Sequence, residues 1–104
     1  MDKRPLERAV EQNCLNFAKA LGVTIAYKMN GLGMRSWPDR MFLYKGRVLF
    51  IEFKRLGEKP TPKQALMHER LKSEGFHVFV VDNVAQGRGI LTAWTVGNGL
   101  GGLH

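Results

Sequence analysis

The run Arg47-Val48-Leu49-Phe50-Ile51-Glu52-Phe53-Lys54 constrains the fold more than any other part of the chain. Its middle is apolar at consecutive positions, so both alternating faces of an extended strand must be covered. That is the mark of a strand at the centre of a sheet. Ahead of it, Met41 to Tyr44 reads as another strand, and only Lys45-Gly46 separates the two, which predicts a two-residue β-hairpin turn. Behind it, Gly57, Pro60 and Pro62 break the pattern, Lys63 to Ser73 reads as a helix stopped by Gly75, and Phe76 to Val81 reads as a short apolar strand. A strand reached through a helical crossover is expected to pair parallel to the central one.

Upstream, Leu6, Val10, Cys14, Phe17 and Leu21 recur at three- and four-residue intervals, and Gly22 follows where a left-handed helix cap belongs. Val23 to Met29 is β-branched and aromatic enough for a strand, which Asn30-Gly31-Leu32-Gly33 should end. The loop from Asn30 to Pro38 is long for a small domain, and loops of that kind often carry function. Ile90 to Val96 is a weaker strand candidate, and the glycine-rich tail from Gly97 to His104 is expected to fray. The predicted order is α-β-β-β-α-β: an α/β fold with a mixed sheet flanked by helices, with its core over about residues 6–82. With 104 residues, a single domain over 1–104 is expected.

An apolar fraction of 44% argues against disorder, and the formal net charge of +7 suits a polyanionic partner, nucleic acid first among them. The first helix carries Glu7 and Glu11 with scattered basic residues, so it is no basic membrane anchor, and no apolar run is long enough to span a bilayer. The N-terminus does not read as a secretory signal, and a cytoplasmic protein is expected. Cys14 is the only cysteine, which excludes an intrachain disulfide and a cysteine metal cluster; its expected role is to fill the core.

If Lys45-Gly46 is the hairpin turn, Tyr44 faces Arg47, and equal steps outward bring Asp39 opposite Glu52. Opposed residues on one face of an antiparallel pair have Cβ atoms about 4.5–5.5 Å apart. Lys54, two residues beyond Glu52, returns to that face. Like charges so placed destabilise a sheet unless something compensates them, and a hard divalent cation would. Such a site is suited to phosphate esters, with Lys54 orienting water or neutralising charge on the phosphate. A plainer reading also stands: Asp39 as a turn residue after Pro38, and Glu52 with Lys54 as a partly exposed pair. The register decides, because a slip of one residue sends Asp39 to the other face.

Pro38-Asp39 followed by Glu52-Phe53-Lys54 resembles the PD-(D/E)xK nuclease signature, and the order of elements resembles that superfamily's restriction-endonuclease-like core. More narrowly, Glu11, Pro38-Asp39, Glu52-x-Lys54 and Gln64 together resemble the VRR-NUC family, the virus-type replication-repair nucleases. The likeness spans about residues 6–82. It implies a metal-dependent deoxyribonuclease using Mg²⁺ or Mn²⁺, with Asp39, Glu52 and the Phe53 carbonyl as metal ligands and Lys54 as the catalytic lysine. Glu11 would add an outer metal contact, with Glu7 its rival one turn earlier. Gln64 matches a family glutamine near the active site, yet Thr61-Pro62-Lys63-Gln64 also fits a helix capping box. Likeness to stand-alone, phage-type members implies a homodimer acting on branched DNA such as a Holliday junction, in the cytoplasm of a bacterial host.

Lys28, Arg35, Arg40, Lys45, Arg55, Lys59 and Lys63 are candidate phosphate contacts, and no helix looks built to read base edges. Trp37 could stack on a base, anchor its loop or pack at a dimer interface. His68 and His77 lack metal-spaced partners and are expected to be structural. The competing functions are a non-catalytic nucleic-acid-binding module, which a broken acid-acid-lysine set would mark, and a subunit that binds a protein through the Trp37 loop.

Overall fold

The computed structural model describes residues 2–29 and 33–97. Along the chain the elements are α1 (Glu7–Ala20), β1 (Ile25–Lys28), β2 (Arg40–Tyr44), β3 (Arg47–Phe53), α2 (Pro62–Ser73), β4 (His77–Val81) and α3 (Val84–Thr95). The sheet order is β1-β2-β3-β4; β1, β2 and β3 pair antiparallel and β4 runs parallel to β3. β3 is thus an interior strand, buried from Leu49 to Phe53, as its unbroken apolar run requires. None of the described helices is long and apolar enough to cross a membrane.

The hairpin register is the one that the turn dictates. Lys45 (φ 48°) and Gly46 (φ 78°) are both left-handed, as in a type I′ turn, whose twist matches that of the flanking strands. Tyr44 pairs with Arg47 and the ladder runs to Arg40 with Ile51, so the next step outward sets Asp39 against Glu52.

Alternation along the paired strands then sorts side chains between two faces. Phe42, Leu49, Ile51, Phe53 and Val81 project to one face, where Val10, Cys14 and Ala18 of α1 and Ile90, Leu91 and Trp94 of α3 complete the main core. Each large apolar side chain fully buried there contributes about 1.5–3 kcal/mol. The opposite face carries Phe50 and Val78 under Leu71 and Met67 of α2, with Trp37 edge-on to Phe50 at 5.9 Å between ring centroids. Trp37 therefore anchors its loop by packing. Asp39, Glu52 and Lys54 belong to this second face by the same alternation.

Local signals set the helix ends. α1 stops in a paired-bond cap, with Val23 N–H donating to the Ala18 carbonyl and Gly22 N–H to the Lys19 carbonyl, each at 2.9 Å. Gly22 at φ 93° makes that reversal possible. Thr61 caps α2 through the Gln64 N–H at 3.2 Å, and Pro62 takes the first helical position.

The strand expected over Ile90–Val96 is instead the second half of α3. Asn83 caps that helix by accepting from Gln86 N–H at 2.8 Å, and the buried residues Gly87, Ile90, Leu91 and Trp94 fall at helical, not alternating, intervals. The order is therefore α-β-β-β-α-β-α. Of the turn expected at Asn30-Gly31-Leu32-Gly33, only Gly33 is among the described residues. The expected fraying of the tail concerns residues outside them, apart from Gly97.

Candidate active site

Where β3 leaves the sheet, two carboxylates are buried together: Asp39 is 6% exposed and Glu52 1%. The Phe53 N–H donates to Asp39 Oδ2 at 2.7 Å, which holds the aspartate against the end of β3. Met29 N–H donates to the Asp39 carbonyl at 2.8 Å, so β1 fixes the same residue from its other side. Burial, and then the facing Glu52 charge, push the Asp39 carboxyl up to about 7, against the opposing pull of the Phe53 N–H.

Lys54 Nζ lies 3.8 Å from Glu52 Oε2 and donates to Gln64 Oε1 at 3.1 Å. The same Gln64 oxygen accepts from Thr61 N–H at 2.9 Å, closing the capping box. Gln64 is at once a helix cap and a hydrogen-bond partner of Lys54.

His68, on the next turn of α2, brings Nε2 to 3.6 Å from Glu52 Oε1, and it is 5% exposed. No spacing in the sequence singled it out. The signal available was its position four residues after Gln64, on the same helix face.

The first helix brings two carboxylates, Glu7 and Glu11, to the cleft beside Asp39. Glu11 Oε2 accepts from Arg40 Nε at 2.6 Å, and Arg40 also donates to the Ala26 carbonyl at 3.0 Å. By strand alternation Arg40 lies on the main-core face, opposite to Asp39 and Glu52. Glu7 stands nearer their field: its carboxyl is raised, first by partial burial, with Lys54 pulling it down and Glu52 and Glu11 pushing it up. An open cleft of about 470 Å³ runs between these groups, lined from α1 by Glu7, Arg8 and Glu11 and from the sheet end by Lys28, Asp39 and Arg55. Arg55 is tethered at its wall, to Asp2 Oδ2 at 3.2 Å and to the Arg4 carbonyl at 3.0 Å. Arg35, Lys59 and Lys63 are exposed on the neighbouring loops and at the start of α2.

Among the described residues no group of three or more His, Cys, Asp or Glu side chains converges closely enough to cage an ion. Two buried carboxylates are nevertheless the complement that Mg²⁺ commonly takes from a protein, with water and phosphate supplying the rest. Glu52 Oε1 is buried without a hydrogen-bond partner among the described residues, and Asp39 holds its proton far above the usual carboxylate range. Both observations mark a deficit of positive charge, and the donor set fits a hard divalent cation.

No protein-family profile matches the sequence. The chain is 40% identical over 78 residues to “Putative nuclease p44” of Acyrthosiphon pisum secondary endosymbiont phage 1, an alignment covering 74% of this chain and 83% of that protein. It also superposes on a solved structure described as “VRR_NUC domain” with a TM-score of 0.73 and 31% identity, covering 83% of this chain and 94% of the other.

Proposed function

The chain belongs to the VRR-NUC family, and from that premise we propose that it is a divalent-metal-dependent endonuclease that hydrolyses phosphodiester bonds in branched DNA. The observation that carries this reading is the buried, mutually repelling pair Asp39 and Glu52 with Lys54 beside it. Asp39, Glu52 and the Phe53 carbonyl would hold Mg²⁺ or Mn²⁺. The chemistry such an ion supplies when bound is polarisation of the phosphoryl oxygen and acidification of a water.

The chain's own groups do the rest. Lys54, fixed by Gln64, presents an ammonium where negative charge builds up on the phosphate, and its low exposure strengthens that interaction. Glu7, rather than the Arg40-paired Glu11, is the helix carboxylate we assign to the edge of the metal site. Lys28, Arg35, Arg55, Lys59 and Lys63 grip the phosphate backbone around the cleft without reading sequence. A homodimer would let two sites related by a two-fold axis cut two strands of a junction. Ile25 and Tyr27, each 50% exposed on the edge strand β1, offer an apolar surface for that contact.

The test compares the wild type with Glu52→Ala and Lys54→Ala on labelled four-way junction and linear duplex, with Mg²⁺, Mn²⁺ or EDTA. Cutting should require the metal, favour the junction and vanish in both variants. Glu7→Gln should slow cutting more than Glu11→Gln does, and the reverse order would return the helix role to Glu11. Binding without cutting in any metal would leave a nucleic-acid-binding module in place of the enzyme.

A further inference from the structure

α2 meets β3 with two polar side chains one helical turn apart. Gln64 accepts from Lys54, and His68 faces Glu52. Four residues of α-helix rise about 6 Å, and two residues of strand advance about 6.6 Å. The repeats match, so one helix can hold both charged ends of Glu52-x-Lys54 at once.

The histidine end of this arrangement is the unexplained one. His68 is 5% exposed and Glu52 1%, and their facing atoms, Nε2 and Oε1, each lack a hydrogen-bond partner among the described residues. At 3.6 Å the two need to close by only a few tenths of an ångström to satisfy each other. Polar atoms buried unpaired are costly, and Met67 and Leu71 of the same helix already belong to the apolar cluster on this face, so an apolar residue here would avoid that cost. A carboxylate oxygen only accepts, so the interaction requires the hydrogen to sit on Nε2.

We propose that His68 is a positioning residue for the metal site: its Nε2–H fixes the Glu52 carboxylate through Oε1, leaving Oε2 turned toward Lys54 and the cation. The inference rests on the nuclease reading above and adds to it an outer contact. Donors of this kind orient ligating carboxylates, and their loss typically costs about 10- to 100-fold in metal affinity or activity.

The first measurement is made on the wild type. In isotope-labelled protein in EDTA, the His68 ring, identified by the signals that His68→Gln removes, should carry its hydrogen on Nε2; a ring protonated at Nδ1 alone overturns the proposal. The second is Mn²⁺ affinity by electron paramagnetic resonance, on the full chain without DNA. His68→Met should bind about 10- to 100-fold more weakly. His68→Gln, whose amide nitrogen falls near the place of Nε2, should recover most of the loss, and the shorter His68→Asn should not. If the methionine variant fails to fold, the glutamine and asparagine variants decide between them. Equal affinity in all folded variants and wild type overturns the proposal. Failure of the nuclease reading looks different, since wild type and Glu52→Ala would then bind Mn²⁺ equally weakly, and the positioning role would fall with it.

Discussion

Two carboxylates opposite each other on neighbouring strands repel, and burial makes each dependent on a proton or a cation. Asp39 shows the consequence, with its carboxyl raised by burial and by Glu52 to about 7 from an ordinary 3.8. Between those two values the folded chain holds a proton that the unfolded chain has released, so the unfolding free energy falls as pH rises through the window. We expect the metal-free protein to lose thermal stability between about pH 4 and 7, by about 4–8 °C for each kcal/mol. Asp39→Asn should flatten that slope and melt higher than wild type at the alkaline end. If Mg²⁺ takes the place of that proton, adding it should raise the melting temperature more at pH 8 than at pH 6. Melting curves in EDTA and in Mg²⁺ check all three, and an unchanged pH slope in the asparagine variant would remove Asp39 as the cause. This pair was legible in the sequence because Lys45-Gly46 fixes a register that can be counted outward. His68 was not, because its partner lies on another element and no sequence spacing links a helix to the strand beneath it.

At the scale of elements, legibility followed the strength of local signals. The hairpin, the central strand, α1 with Gly22 and α2 with its capping box each combine a periodic pattern with a marked end, and each was readable. α3 was not, because Gly87 and Gly89 weaken the helical signal and Ile90 to Val96 is rich in β-branched and aromatic residues, although Asn83 and Gln86 already spelled out a capped start. What makes Gly87 acceptable inside that helix is its neighbour. A Cβ at Gly87 would overlap Cys14 Sγ on α1 and press on Val81 Cγ1 at 3.1 Å, so the two helices approach this closely only with no side chain there. Gly87→Ala should therefore destabilise the fold by about 1–3 kcal/mol despite alanine's better helix propensity. Cys14→Ala combined with it should recover part of the loss, by removing the sulfur that the new methyl meets. Denaturant unfolding of the double-mutant cycle measures this coupling, and simple additivity would mean that the α1–α3 contact is not what excludes a side chain at position 87.

The whole molecule distributes its charge by end. Lys28 closes β1, Arg35 precedes β2, and Arg55 and Lys59 follow β3, so antiparallel pairing brings them to the end of the sheet where Asp39 and Glu52 lie, and Lys63 joins them from the first turn of α2, where Gln64 meets Lys54. Lys45, in the hairpin turn at the opposite end, lies over the Tyr44 ring at 5.1 Å and is remote from the cleft. Arg40 is already committed to Glu11. With a net charge of +7 the chain as a whole attracts DNA, but counterion release counts only the phosphates it touches. If the five cleft-end residues are those contacts, binding of uncut junction DNA in Ca²⁺ or EDTA should weaken with salt at a log–log slope of roughly −4 to −5 per protomer. Removing Lys28 or Lys63 should lower that slope by about one each, across all sequences alike, whereas Lys45→Ala should leave it unchanged. Titrations over a range of salt concentrations read the slope directly. A loss from Lys45→Ala as large as that from Lys28→Ala would show that DNA wraps the molecule instead of entering at one end, and a slope near zero would mean that the charge serves something other than DNA.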